Sequence, residues 1–225
     1  MISKKYRSIF IHIHKTAGSS IEKKLGLFDV LAPGVQDHRK IREIERLPYR
    51  SYHVEKALVR LARAKFSASL HHLYQLYKPE LSRREYLDFY KFTFVRNSWG
   101  RMYSWYADVM SNKGHQKNYR LPANCSFKNF LERAYIHKGF SQLDFITDSN
   151  GDIPLDFIGR FENLHKDFAK VCAAIGLEDT ALPRLLVSGK KHHYSHYYDE
   201  ACKDLVYGFY RKEIKYFGFE FEEVK

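Results

Sequence analysis

The chain has 225 residues, 44% hydrophobic and 16% aromatic, enough to bury one substantial core in a single domain. Its three cysteines, Cys125, Cys172 and Cys202, are isolated, which excludes a full disulfide framework, and no apolar run reaches transmembrane length. The formal net charge of +12 points to an anionic partner. Nucleic acid, acidic polysaccharide, membrane headgroups and a nucleotide donor all meet that description.

Taken in order, Ile9, Phe10, Ile11 and Ile13 form the continuous apolar strand of a sheet covered on both faces. It runs into HKTAGSS and then the helical stretch IEKKLG. Gly18 permits a sharp turn, Ser19 and Ser20 suit a helix N-terminus, and Lys15 adds an ammonium. Such a junction offers unpaired amides and a helix dipole to an anion. A plain strand-to-helix connection is the other reading, and the GxxxxGK[ST] pattern of a Walker A loop is absent. Residues 38–46 read as a short helix; Val54, Leu58, Leu61 and Phe66, then Leu70, Leu73 and Tyr77, recur at helical spacing. Ser82 and Glu85 make a capping-box pattern.

A second apolar strand opens KFTFVRNSWGRMYSWY at residues 91–106 and ends on Arg96, where ligands of open α/β sheets bind. Asn97 and Ser98 can cap the next helix, on which Arg101 and Ser104 share a face. Ser126 is expected to cap a helix that Gly139 ends, and Ser149–Asp152 to form a turn of a hairpin. Asp156–Arg160 reads as a third buried strand. A helix carrying Leu164, Phe168, Val171 and Ile175 stops at Gly176, and a long helix carries Cys202, Val206, Tyr210 and Ile214. Strands alternating with helices predict a parallel sheet.

HKTAGSS resembles PKTAGTS, the 5′-phosphosulfate loop of sulfotransferases that use 3′-phosphoadenosine 5′-phosphosulfate (PAPS). VRNSWGRMYSWY resembles their 3′-phosphate motif, VRNPxxRxxSxY. DFIGRFENLHKDF at residues 156–168 and the C-terminal HYSHYYDEACKDLVYGFYRKEIKYFGFEF are similar to the carbohydrate sulfotransferase family 2 group. The likeness does not cover residues 46–90. His14, Ser19 and Ser98 depart from Pro, Thr and Pro in the family patterns, and none of the three removes a ligand group.

The resemblance implies a three-layer α/β/α fold with a central parallel sheet, P-loop NTPase-like, in one domain over residues 1–225 with a helical insertion at about 46–90. It implies sulfuryl transfer from PAPS to a hydroxyl, that of a carbohydrate, with no metal and no nucleic-acid partner. Thr16, Ala17, Gly18, Ser19 and Ser20 are expected to hold the 5′-phosphate, Lys15 to meet the leaving-group oxygen, and Arg96 and Ser104 to grip the 3′-phosphate. Arg101 has two readings, a donor contact or an ion pair with an acid elsewhere.

His38, in QDHRKIREI, resembles a histidine found after the donor loop in small family members and is the candidate base. A surface or cap role is its alternative, with Asp37 able to orient it and Glu162 the second candidate. Ser188, Lys190 and Lys191 sit in a loop suited to clamp the donor or the acceptor. His192, His193 and His196 lack the accompanying ligands of a metal site. Trp99 and Trp105 fall at core spacing. The sequence gives no indication of membrane association, and a cytoplasmic location is expected unless an anchor has been removed. The competing readings are a nucleotide-dependent kinase and a basic nucleic-acid module.

Overall fold

The structure, a computed structural model, describes residues 1–26, 36–137, 139–183 and 192–223. Its sheet has four strands in the order β1 (Ile2–Ser3), β2 (Ser8–Ile11), β3 (Tyr90–Val95) and β4 (Phe157–Arg160). Strand β2 runs parallel to β3, with Phe10 opposite Phe92, and β3 runs parallel to β4, with Val95 opposite Arg160. The expectation of a parallel sheet fails at its edge: β1 is antiparallel to β2, Ile2 facing Ile9. Only residues 4–7 join them, enough to reverse the chain and too few for a crossover.

The helices are α1 (Gly18–Lys24), α2 (Ile41–Ile44), α3 (Arg50–Ala62), α4 (Phe66–Tyr77), α5 (Arg83–Asp88) and α6 (Ser98–Ser111) in the first half. There follow α7 (Lys113–Asn118), α8 (Phe127–Leu131), α9 (Ala134–His137), α10 (Gln142–Ile146), α11 (Leu164–Ile175) and α12 (Glu200–Phe217). Several ends obey local chemistry. Ser82 accepts from the Glu85 amide while Glu85 reaches back to the Ser82 amide, the reciprocal box that starts α5. Gly176 ends α11 in the left-handed region at φ 71°. The single helix expected from Ser126 to Gly139 is divided into α8 and α9. Ser149–Asp152 is a turn without a hairpin, closed by the Asp148 amide on the Asp152 carbonyl.

Strand side chains alternate into two buried clusters, as the two-residue period of a pleat requires. Phe10, Phe92 and Phe94 join Ile21 of α1 and Phe168, Val171 and Cys172 of α11. Ile9, Ile11 and Val95 join Met102 and Val109 of α6 and Val206 and Ile214 of α12. Trp99 and Trp105 belong to that second cluster. All three cysteines are free and buried. Among the described residues no helix is long and apolar enough to cross a membrane.

This packing fixes where the polar side chains emerge. The three parallel strands end side by side, handing the chain on at His12, Arg96 and Phe161.

Candidate active site at the strand ends

The segment leaving β2 turns through two left-handed residues, Lys15 at φ 67° and Ala17 at φ 68°, on either side of Thr16. Positive φ costs a side-chain-bearing residue on the order of 1–3 kcal/mol. Thr16, fully buried, anchors the turn by donating its hydroxyl to the Ile13 carbonyl at 2.9 Å. Ala17 is the N-cap of α1 and has no side chain able to cap. Ser19 and Ser20 therefore stand inside the first turn instead of capping it. Gly18 is needed for a reason other than a sharp turn, because a Cβ there would lie 1.9 Å from the His12 ring. The amides of Thr16, Ala17, Gly18 and Ser19 donate to no acceptor among the described residues. Successive amides in such alternating backbone form an anion-binding concavity.

Arg96 links this loop to the second strand end. Its Nη1 donates to the Lys15 carbonyl at 3.2 Å, and its guanidinium lies 3.9 Å from the Phe161 ring centre. Burial pushes its pKa down to about 10, with Glu162 opposing the shift. The Gln142 side chain brackets the Arg96 backbone, accepting from its amide at 2.8 Å and donating to its carbonyl at 2.9 Å. Gln142 is in turn held by Glu213, fully buried on α12. Glu213 accepts from the Gln142 amide at 2.6 Å, from Gln142 Nε2 at 3.1 Å and from Ser141 Oγ at 3.1 Å. It also accepts from Ser98 Oγ at 2.7 Å and Arg101 Nη2 at 3.1 Å.

These contacts decide between the readings open for the cap of α6 and for Arg101. Asn97, not Ser98, caps α6, its side chain accepting from the Trp99 amide at 3.1 Å. Of the two readings of Arg101, the ion pair is the one observed.

One face of α6 runs along both strand ends. A Cβ on Gly100 would meet the Tyr194 ring at 3.1 Å and Arg96 Nε at 3.7 Å. Ser104, buried, lies one turn further on that face, and Asp108 one turn beyond, as the i, i+4 spacing dictates. Asp108 Oδ1 stands 3.4 Å from Lys15 Nζ. Burial lowers the Lys15 pKa, and Asp108 opposes the shift. Asp108, Gln142 and Glu213 are absent from the sequence reading, since an isolated acid or amide on a helix carries no motif.

Beside the loop lies a stack of imidazoles. The His38 ring centre is 3.6 Å from that of His14 and 4.2 Å from that of His12. His12 Nδ1 is 2.7 Å from the buried Glu22 carboxylate. Burial pushes the His38 pKa down to about 4, with His12 adding to the shift, and burial with His38 and His12 pushes His14 to about 3. Both rings are therefore neutral at neutral pH. His38 Nδ1 faces the His12 carbonyl at 3.0 Å and its Nε2 faces Gln36 Oε1 at 3.1 Å; both partners are acceptors, and the neutral ring has one N–H to give. The Nε2 of Gln36 donates to Ser19 Oγ at 2.5 Å, so Gln36 joins His38 to the loop.

Asp37 does not orient His38. It accepts from the Arg39 amide at 3.1 Å and from the Arg39 guanidinium. Glu162 accepts from the Asn97 amide at 2.7 Å. Lys190, Ser188 and Lys191 lie outside the described residues. His193 Nδ1 is 3.0 Å from Ser195 Oγ, and among the described residues no group of three or more side chains has the arrangement of a metal site.

The loop after β2, the Arg96 junction and the imidazoles of His12, His14 and His38 thus lie together at the ends of the parallel strands. The family model described as "Sulfotransferase family" matches residues 1–220, and the chain belongs to that family, the carbohydrate sulfotransferase family 2 group. Membership makes it a transferase of the sulfuryl-transfer class. It is also 36% identical over 90 residues to an uncharacterised protein of Archaeoglobus fulgidus, a match covering 39% of this chain and 68% of that protein. No solved structure matches the chain.

Proposed function

We propose that the enzyme moves the sulfuryl group of PAPS to a hydroxyl of a carbohydrate. The observation that carries this reading is the hydrogen bond between the two junctions, Arg96 Nη1 to the Lys15 carbonyl at 3.2 Å. A donor with a phosphosulfate at one end of its nucleoside and a phosphate at the other needs two anion sites in fixed relation. The unpartnered amides and alternating backbone of residues 15–19 fit the first. Arg96 and Ser104, on the other junction, fit the second. The two clusters filled by alternate strand residues favour the three-layer, P-loop-like reading, in one domain with a helical insertion at about 46–90. The free buried cysteines suit a reducing cytoplasm.

PAPS, when bound, supplies the sulfuryl group and a phosphate leaving group. The acceptor oxygen forms its bond to sulfur as the sulfur–oxygen bond to the leaving phosphate breaks, and the hydroxyl proton passes to a base. His38 Nε2 is that base in this reading, its Nδ1–H fixed on the His12 carbonyl. Lys15 meets the charge that grows on the leaving phosphate, while Ser19, Ser20 and the loop amides hold that phosphate in place. Positioning and electrostatics do most of the work, as in phosphoryl transfer.

The test is thermal shift at matched ionic strength with 3′,5′-ADP, ATP, 5′-AMP and oligonucleotides. A ligand at a hundredfold its Kd adds about 2.7 kcal/mol of stability. We expect 3′,5′-ADP to stabilise well above ATP and 5′-AMP. Equal shifts with all three nucleotides would remove the 3′-phosphate assignment, and a salt-sensitive shift with oligonucleotides alone would favour a nucleic-acid module.

A further inference from the structure

Helices α3 and α4 form an antiparallel hairpin. Ser69 Oγ donates to the Ala57 carbonyl at 2.9 Å, His53 and His72 meet at 3.4 Å, and Arg50 Nη2 reaches the Leu76 carbonyl at 3.5 Å. In each helix residues that directly follow contact positions, Val54 and Leu58 on α3 and Leu70, Leu73 and Tyr77 on α4, belong to an apolar stripe. It is Val54, Leu58 and Leu61 on α3, and Phe66, Leu70, Leu73 and Tyr77 on α4. These side chains are between 45% and 88% exposed. One residue turns an α-helix by about 100°. Antiparallel helices wind in opposite senses when viewed down one axis, so the two stripes turn to the same side of the hairpin. The periodicity of this segment is that of a core face, yet the face is open to solvent.

The charge around it is one-sided. Between residues 50 and 78 stand Arg50, Lys56, Arg60, Arg63, Lys65 and Lys78 against a single acid, Glu55, which Arg46 pairs at 2.6 Å.

We propose that this face docks the enzyme on the surface of a lipid bilayer carrying anionic headgroups. An exposed apolar stripe on a segment rich in Lys and Arg suits a helix lying in the membrane interface, apolar side chains at the acyl boundary and cations among headgroups. The long basic side chains can run beside the apolar face and keep their charges in the headgroup layer. A second copy of the chain would bring two cationic surfaces together, and a nucleic acid has no use for the Leu, Val and Phe stripe. The hairpin lies on the bilayer, since no described helix can cross one.

The test is co-sedimentation of the full chain with vesicles of phosphatidylcholine alone or with about a third phosphatidylserine. The wild type is expected to sediment with the anionic vesicles, weakly with the neutral ones, and less at high salt. Phe66→Ser with Leu70→Ser is expected to cut partitioning about tenfold or more, with melting temperature and 3′,5′-ADP binding unchanged. Arg63→Gln with Lys65→Gln is expected to cut it about tenfold on anionic vesicles only. Absence of wild-type binding to anionic vesicles overturns the proposal, as does wild-type binding by both double variants. A wild-type dimer split by Phe66→Ser/Leu70→Ser, without vesicle binding, assigns the face to a second copy and also overturns it.

Discussion

Lys15 Nζ, the ammonium on the donor loop, stands 3.4 Å from the carboxylate of Asp108. An anionic donor must take Lys15 from that carboxylate or accept the carboxylate's charge nearby. Asp108→Asn is therefore expected to tighten 3′,5′-ADP binding by roughly three- to tenfold, about 1 kcal/mol, and less at high salt. Isothermal titration at two ionic strengths measures it; weaker binding in the variant would instead make Asp108 the residue that aims Lys15.

Arg96→Ala and Lys15→Ala are expected to fail differently. In the proposed reading Arg96 holds a phosphate alike in the ground and transition states, so its loss should weaken 3′,5′-ADP binding. In that reading Lys15 meets charge that grows as the bond breaks, so its loss should mainly lower single-turnover rate. The reverse pattern would mean that the two roles are exchanged.

His38→Ala is expected to lower turnover by roughly 10² to 10⁴ with 3′,5′-ADP binding nearly intact. A base works only when neutral. With burial holding His38 near 4, the wild-type rate should hold through pH 6 and fall only as pH approaches about 4. That acid limb should vanish in the variant. Near-normal turnover in the variant would move the search to His192, His193 and His196.

The same rings couple stability to pH. His14 and His38, ordinarily near 6.5, lie at about 3 and about 4 in the fold, so between those values the unfolded chain binds more protons. Their contribution is complete above 6.5 and is lost as pH falls toward 4. After burial, His38 and His12 bear most on His14, then Arg101 and Lys15, and all four disfavour its protonation. His14→Phe is expected to flatten the fall of melting temperature between about pH 6.5 and pH 4. An unchanged slope would assign the acid sensitivity to other groups.

The two strand-end segments of this candidate site were legible because each is contiguous in sequence. HKTAGSS and VRNSWGRMYSWY can be read without knowing what surrounds them, as can the Ser82–Glu85 box and the Gly176 stop. The supporting contacts cannot, because they join residues far apart in sequence. Glu213 acts through Ser98, Arg101 and Gln142, and Gly18 is constrained by His12, a ring that sequence does not place against it. Nor does periodicity say which stripe is wet: Val54, Leu58 and Leu61 have the spacing of core residues and lie exposed.

Glu213→Ala is expected to cost about 3–5 kcal/mol in urea denaturation, because it leaves the Arg101 charge buried without its partner. Replacing the pair together, Arg101→Met with Glu213→Leu, should recover most of that loss. A small effect of Glu213→Ala alone would mean that the Phe140 carbonyl and the rings of Phe140 and Tyr210 suffice to hold the guanidinium.

The Glu213 junction also sets an order of events. Its hydrogen bonds span 115 residues to Ser98, 112 to Arg101 and 71 to Gln142, and Gln142 is what brackets Arg96. Contacts of such separation close late and slowly. On the ribosome the N-terminal strands emerge first, yet the grip on Arg96 cannot be completed until residue 213 has been made. A nascent chain arrested before that point would carry both strand-end segments and be unable to hold the second in shape.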